Sequence, residues 1–198
     1  GWVEGGDLHP PHEEIYQQGV WIEACSALAE MADVLHDAAS AAVAAITFSG
    51  SSEELERIGK ADRTFDVPGS GKGFELKGPE AQNYRFIVEG QRPASVEGRD
   101  RPIQLTHAVL NSADVEACER FAVETLGFKV SDRTAHMRFV RCNRKHHALA
   151  YAKSDLASLN HIAFEMRDMD AVMRGIGRLR DAGFECVWGP GRHGPGNN

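Results

Sequence analysis

Apolar and polar positions repeat with the same spacing twice in the second half of the chain. The segments 105–110 and 159–164 alternate like strands, and each is followed by an acidic residue, a stretch with helical spacing and a Gly-Phe pair. Alternation over a few residues predicts a strand, and apolar positions three and four apart predict a helix. Self-similarity at a fixed period is typical of a repeated supersecondary unit. Each copy is therefore predicted to be one strand–helix–strand unit.

The predicted elements follow this order along the second half. They are a strand over 103–110, a helix over 114–126, strands over 128–131, 136–142, 147–152 and 159–165, a helix over 169–182 and a strand over 185–188. The order of one strand, one helix and three strands is complete once, and a second copy starts at residue 159.

The first half carries a fainter copy of the same unit. The pattern predicts a strand over 44–48, a helix over 53–58 after N-capping serines, and a hairpin of 74–76 with 84–88. Residues 1–19 are predicted to form a loop, 22–45 an Ala-rich helix and 91–101 a linker. We therefore expect two domains, 1–98 and 99–198. Both ends of the sequence look interrupted, so we expect a fragment.

Composition excludes several classes of function. The net charge is −7, with no Lys/Arg cluster, which argues against a nucleic-acid partner. No apolar run approaches the roughly 18 residues of a membrane span, and there is no signal-peptide pattern. The cysteines lack CxxC spacing, which predicts reduced, buried thiols in a cytoplasmic protein. These cysteines are Cys25, Cys118, Cys142 and Cys186.

Two histidines occupy equivalent positions in the repeat. His107 and His161 are 54 residues apart, each in the middle of a predicted strand. Alternation places His107 on the face of Leu105, and His161 on the face of Leu159. A buried, hydrogen-bonded core histidine is the commoner explanation of one such residue. Its repetition favours a metal site shared between two units.

A second pair of histidines is adjacent in the sequence. His146 and His147 fall at the start of one predicted strand, so they should face opposite ways and at most one should enter a shared cavity. Large residues, Leu149 and Tyr151, share the predicted face of His147. Small residues share that of His146.

These motifs together resemble one known family. Leu-Thr-His-Ala-Val-Leu at 105–110, Arg-Cys-Asn at 141–143 leading to His146-His147, Leu-Asn-His-Ile-Ala-Phe-Glu at 159–165 and the Gly/Pro-rich segment 189–197 resemble the type I extradiol ring-cleaving dioxygenases of the vicinal oxygen chelate superfamily. The resemblance covers about residues 100–198. It extends faintly over 10–90, which resembles the non-catalytic first domain of those enzymes.

The resemblance implies an α+β fold of paired βαβββ modules that form a half-barrel metal cup. It implies Fe(II), less often Mn(II), held by two histidines and one carboxylate. The two histidines correspond to His107 and His161. The carboxylate is a Glu on the last strand of the final module, beyond Asn198. Glu165 lies on the predicted face of His161 but is not that ligand, and the first domain is expected to bind no metal.

The resemblance also implies roles for two further histidines. His147, 14 residues before the second ligand, corresponds to the acid/base residue, and His193 to a second pocket histidine near the substrate. The implied reaction is cleavage of a catechol-type ring by O₂ in aromatic-compound catabolism, by a protein without nucleic-acid or membrane partners that forms a homo-oligomer.

Two alternatives remain open from the sequence. One is another metal-dependent enzyme of the superfamily, such as a glyoxalase-like isomerase or a thiol transferase, which would lack the pair His147 and His193. The other is a non-catalytic module that binds a small aromatic molecule and uses its histidines structurally. Iron content and an O₂-dependent yellow product from a catechol would separate the three.

Overall fold

The computed structural model describes residues 19–23, 45–58, 61–67, 71–88 and 101–191. These residues form two five-stranded mixed sheets and three helices. The first sheet comprises β1 (Gly19–Glu23), β2 (Ala45–Gly50), β3 (Arg63–Val67), β4 (Gly71–Lys77) and β5 (Asn83–Val88). The second comprises β6 (Gln104–Ser112), β7 (Lys129–Arg133), β8 (Met137–Arg141), β9 (Leu149–Lys153) and β10 (Ser158–Glu165). The helices are α1 (Ser52–Leu55), α2 (Val115–Glu124) and α3 (Met169–Asp181).

Both sheets have the same topology. Their strand orders are β1-β2-β5-β4-β3 and β10-β6-β9-β8-β7. In each, the first strand of a βαβββ unit lies parallel to the last strand of that unit, and a further strand pairs antiparallel with the first one. The predicted α+β fold of βαβββ modules is therefore confirmed, including the fainter copy in the first half.

The repeat also extends to the ends of the two longer helices. Asp114 and Asp168 are the N-caps of α2 and α3, and their carboxylates accept hydrogen bonds from the backbone N–H of Ala117 at 2.8 Å and Ala171 at 2.7 Å. Such a cap satisfies a donor that the first helical turn leaves unpaired. Beyond each helix a glycine with positive φ reverses the chain, Gly127 at +72° and Gly183 at +86°. These are the glycines of the two Gly-Phe pairs.

One hydrophobic core joins the two sheets. Phe48 and Phe86 of the first sheet stack on each other, and Phe48 meets Phe128 of the second unit edge-on, with ring centroids 5.1 Å apart. The buried hydroxyl groups of Tyr84 and Tyr151 lie 3.2 Å apart across the same boundary. Apolar residues of α2 complete this core: Val115, Cys118 and Ala122.

A polar contact crosses the boundary as well. Glu80, in the turn between β4 and β5, accepts hydrogen bonds from the backbone N–H groups of Ala113, at 2.7 Å, and Asp114, at 3.3 Å. These groups immediately precede α2. The first unit thus helps to cap the helix of the second.

Several predicted elements differ from the structure. Gly19–Glu23 forms β1, where the pattern indicated a loop and the start of a helix. The exposed edge strand β3 was not predicted. The helix predicted over 53–58 begins one residue earlier and ends at Leu55. Most of the helix predicted over 22–45, and residues 89–100 around the expected domain boundary, lie outside the described residues.

The thiols and the helices bear on two further expectations. Cys118 and Cys142 are free and buried as predicted, whereas Cys186 is free and exposed, so its predicted burial is wrong. It follows the exposed Phe184 after α3. Cys25 lies outside the described residues. None of the three helices described has the length and apolar character that crossing a membrane requires.

Candidate metal site

Three histidines meet on the face of the second sheet that points away from the shared core. The imidazole of His107 on β6 lies 4.1 Å from that of His147 and 5.6 Å from that of His161 on β10, measured between ring centroids. Strands β6 and β10 are antiparallel neighbours, which brings the two equivalent histidines of the repeat together. His193 lies outside the described residues.

The two strands that carry His107 and His161 each contain a β-bulge directly before the histidine. On β6 the pairing passes from Leu105 to His107 and skips Thr106. On β10 it passes from Leu159 to His161 and skips Asn160. An extra residue of this kind locally breaks the ladder and re-aims side chains.

These bulges overturn the predicted sharing of faces. Leu105 and Leu159 pack against the core between the sheets. His107 and His161 contact each other on the opposite face. Strict alternation placed each leucine with its histidine, and that prediction is wrong because one unpaired residue shifts the phase of the pleat.

His107 is buried and held by the residue before it. It is 5% exposed, and its Nδ1 lies 3.3 Å from Oγ1 of Thr106. The Thr106 hydroxyl donates its hydrogen to the carbonyl oxygen of Ala163 on β10, at 3.1 Å. Because a hydroxyl has one hydrogen, its oxygen acts as acceptor toward His107. Both contacts are satisfied together when Nδ1 carries the imidazole proton and Nε2 has the lone pair.

His161 is exposed and is held in the same way. Its Nδ1 lies 2.8 Å from Oδ1 of Asn160, and the Asn160 amide nitrogen donates to Oδ1 of Asn111 on β6, also at 2.8 Å. With its nitrogen directed to Asn111, Asn160 presents an acceptor to His161. Nδ1 is again the protonated nitrogen, and Nε2 has the lone pair.

His147 lies in the loop between β8 and β9, not on a strand, because β9 begins at Leu149. It is buried, whereas His146 is half-buried. The two rings do not face opposite ways as predicted: their Nδ1 atoms are 2.9 Å apart. Side chains alternate between faces only within a strand, so the prediction that His146 and His147 face opposite ways was wrong.

Burial lowers the pKa of His146, although the negative charge of Asp132 opposes this shift. A neutral imidazole is therefore favoured next to His147. A neutral imidazole has one N–H and one lone pair, so the pair can share a hydrogen bond between Nδ1 atoms.

The wall around the histidines is apolar but is not the one predicted. Val109, Phe139 and Ala150 form a buried cluster on the histidine face, and the Phe139 ring meets the His147 ring edge-on at 5.1 Å. Leu149 and Tyr151, predicted to line the pocket beside His147, are fully buried in the core between the sheets instead. That prediction assumed that His147 belongs to the same strand as Leu149 and Tyr151, but His147 lies in the loop before that strand.

Glu165 is engaged elsewhere. Its Oε2 accepts a hydrogen bond from Nζ of Lys145 at 2.6 Å and a short one from Gln104. The hydrogen bond from Lys145, with a further one from Gln104, lowers the pKa of the Glu165 carboxyl group. A carboxylate paired with a lysine is a poor candidate for a metal ligand.

The side chains at this site provide part of the ligand set that a divalent transition metal requires. Two imidazoles from neighbouring strands, each with its lone pair on Nε2, are suited to Fe(II) or Mn(II). Within the described part of the chain, no group of three or more His, Cys, Asp or Glu side chains could hold a metal ion. A facial ligand set built on His107 and His161 would need a carboxylate as its third member.

Sequence reasoning missed the residues that hold the two imidazoles. Thr106, Asn160 and Asn111 are polar residues in or next to the histidine motifs, and alternation assigned the first two to the far face. The signal available was their identity: each residue before a histidine can accept a hydrogen bond. The bulges that bring them beside the rings have no signature in the apolar pattern.

The chain is similar in sequence to a known family and to several known proteins. Residues 104–198 match the family model described as Glyoxalase/Bleomycin resistance protein/Dioxygenase superfamily. Metapyrocatechase 2 from Cupriavidus necator is 33% identical over 115 residues, which are 55% of this chain and 36% of that protein. An iron-dependent extradiol dioxygenase from Rhodococcus jostii is 30% identical over 162 residues, or 73% of this chain and 52% of the relative. The chain thus spans about a third to a half of these curated relatives.

Solved structures show the same fold. The Mn(II)-bound glyoxalase from Novosphingobium aromaticivorans superposes with a TM-score of 0.66 at 29% identity, over 80% of this chain and 58% of that one. Homoprotocatechuate 2,3-dioxygenase from Brevibacterium fuscum, in complex with 3,4-dihydroxyphenylacetate, gives 0.64 at 22% identity over 79% and 57%. The chain thus shares its repeated βαβββ topology with these structures, and its second half, residues 104–198, matches the glyoxalase/bleomycin resistance protein/dioxygenase superfamily.

Proposed function

We propose that the chain is part of an Fe(II)-dependent extradiol dioxygenase that cleaves a catechol-type ring with O₂. The observation that carries the proposal is the meeting of His107, His147 and His161 on one face of the second sheet. Two of these imidazoles come from equivalent strands of the repeat and the third from a neighbouring loop. The names of the curated relatives support the same activity, and Mn(II) is the alternative metal.

In this proposal His107 and His161 bind the metal through Nε2, together with a carboxylate from outside the described residues. Fe(II) held there would supply the coordination chemistry that brings a catecholate and O₂ together. The apolar cluster of Val109, Phe139 and Ala150 excludes water from one side of the site. Shielding of this kind strengthens electrostatic interactions within a site.

His147 has the place of an acid/base residue. A catechol that binds through both oxygens must lose protons, and an imidazole can take up a proton and later return it. Nδ1 of His147 faces His146, so Nε2 is the atom that would exchange a proton with the substrate. His193 is proposed as the second pocket histidine on the resemblance alone.

Metal content and oxygen chemistry test this proposal. In the complete protein, loaded with Fe(II) under anaerobic conditions, we expect one iron per chain and O₂ uptake matched by a yellow product from a catechol. His107→Ala and His161→Ala should each abolish or severely weaken iron binding. His136→Ala, which changes an exposed histidine before β8, is the matched control. Full iron occupancy in the His161→Ala protein would contradict the ligand assignment.

A glyoxalase-like isomerase is the second candidate, favoured by the likeness to the Mn(II)-bound glyoxalase. Such an enzyme would use the same two histidines but consume no O₂. An oxygen electrode therefore separates the two functions. Metal-dependent turnover of a hemithioacetal without O₂ uptake would favour the isomerase, and a ligand bound without turnover would favour a non-catalytic binding module.

A further inference from the structure

We infer that Thr106 and Asn160 are positioning residues that set the tautomer of His107 and His161, so that both imidazoles present Nε2 to the metal. The inference rests on the proposed function, since it concerns the two proposed ligands. Neither residue is itself proposed to bind the metal or the substrate. Each acts through the histidine that follows it.

The first argument is the equivalence of the two arrangements. In both strands the residue before the histidine is the extra residue of a β-bulge. In a regular strand, neighbouring side chains point to opposite faces and could not hydrogen-bond. Each bulge allows the side chain of the extra residue to reach Nδ1 of the following ring, at 3.3 Å for Thr106 and 2.8 Å for Asn160.

The second argument is that both acceptors are held in place by other groups. The Thr106 hydroxyl donates to the carbonyl oxygen of Ala163, on the opposite strand. The Asn160 amide donates to Asn111, which in turn donates from its own amide nitrogen to Oγ of Ser158 at 2.8 Å. A chain of side chains thus crosses from β10 to β6 and back. It directs the oxygen of Asn160, not the nitrogen, toward His161.

The consequence concerns metal affinity. An imidazole whose Nδ1–H is bonded to an acceptor keeps its lone pair on Nε2 and keeps its ring orientation, and loss of such a partner typically lowers metal affinity about 10–100-fold. His161 is the more dependent of the two because it is exposed, so packing does little to orient it. His107 is buried, and its neighbours restrict the ring even without Thr106.

The experiment is long-range ¹H–¹⁵N NMR of the histidine rings in the metal-free complete protein, together with anaerobic titration of Fe(II) alone. In the wild-type protein both His107 and His161 should be Nδ1–H tautomers. Thr106→Val should shift only His107 toward Nε2–H, and Asn160→Leu only His161, so each variant is the control for the other. Thr64→Val, an exposed threonine on β3 of the other sheet, should change neither ring.

Affinity and rescue complete the test. Asn160→Leu should weaken Fe(II) binding about 10–100-fold, whereas Asn160→Asp, which keeps an oxygen acceptor, should retain the Nδ1–H tautomer and most of the affinity. Asn111→Ala should give a mixture of His161 tautomers. The inference is overturned if the wild-type rings are Nε2–H, or if Asn160→Leu keeps the wild-type tautomer and affinity. A wild-type protein that binds no iron would instead contradict the proposed function, and NMR would still report the tautomers.

Discussion

At the scale of single residues, His147 connects the candidate metal site to its surroundings. One side of its ring lies against His107, and its Nδ1 meets Nδ1 of His146. The contact with His146 gives that residue a role in the site, which its half-buried position alone would not indicate. His146 is the hydrogen-bond partner of His147 at Nδ1.

We expect His147→Ala in the complete protein to keep its iron and its affinity for a catechol but to lose about 10²–10⁴-fold in turnover, the usual contribution of an acid/base group. His146→Ala removes only the partner of His147 and should lower turnover less. Steady-state rates normalised to the measured iron content check this. A larger loss in His146→Ala, with iron intact, would exchange the two roles.

The histidines themselves could be predicted from the sequence, but their surroundings could not. His107 and His161 stand out because a repeat places them at the same point, and antiparallel pairing of β6 with β10 brings them together. The faces of Leu105 and Leu159 could not be predicted, since alternation holds only while every residue is paired. Only the resemblance points to His147, because side-chain alternation does not hold in the loop where this residue lies.

At the scale of elements, the repeat also predicts structural features that have no part in the proposed chemistry. The acidic residue after each histidine strand is an N-cap, and the glycine after each helix is a positive-φ residue. Strands with a weak apolar pattern were not predicted. β3 is an exposed edge strand with charged residues, and β1 follows a polar stretch. Local pattern identifies strands with a buried face and misses those that depend on pairing.

Asp114→Ala should destabilise the protein by about 1 kcal/mol, because the N–H of Ala117 loses its acceptor at the start of α2. Asp114→Asn keeps an acceptor and should be close to the wild-type protein. The free energy of unfolding from urea titration measures both. Equal losses in the two variants would show that the charge, and not the cap, stabilises the helix.

At the scale of the whole molecule, the two βαβββ units share one core, and polar contacts join them both inside that core and at its rim. The pair of tyrosine hydroxyls lies inside that core, and Glu80 bridges its rim to the start of α2. Both links join residues that the sequence alone assigned to separate domains. No pattern within either half could reveal them, because each depends on how one unit packs on the other.

The tyrosine pair should behave as a coupled unit. Tyr84→Phe or Tyr151→Phe leaves one buried hydroxyl facing a ring edge and should cost about 1–3 kcal/mol, whereas removal of both hydroxyls should cost less than the sum of the two single changes. Urea unfolding of the four proteins forms the double-mutant cycle. Strict additivity would mean that the hydroxyls do not depend on each other.

Glu80 should make stability depend on pH. Burial raises the pKa of its carboxyl group, but hydrogen bonds from Ser112, Ala113 and Asp114 outweigh that effect and leave the pKa below the ordinary value of 4.5. A carboxyl group with a lowered folded-state pKa stabilises the fold above pH 4.5, and this contribution is lost as the pH falls toward the folded-state value.

Glu80→Gln should therefore be less stable than the wild-type protein by about 1 kcal/mol at pH 7, the difference between hydrogen bonds to a charged and to a neutral acceptor. The difference should shrink as the pH falls from 5 to 3. Urea unfolding at several pH values measures it, with Glu124→Gln, an exposed glutamate at the end of α2, as control. A difference that stays constant across this range would exclude the charge as its source.

The two bulges lengthen the two strands that carry the histidines. Each histidine strand is one residue longer than its partner requires, and the surplus residue stands at the same place in both repeats. If Thr106 were deleted, Leu105 would directly precede His107, and ordinary alternation would still send the leucine to the core and the histidine to the opposite face. The fold therefore does not require the added residue. What the longer strand gains is a polar side chain beside the ring.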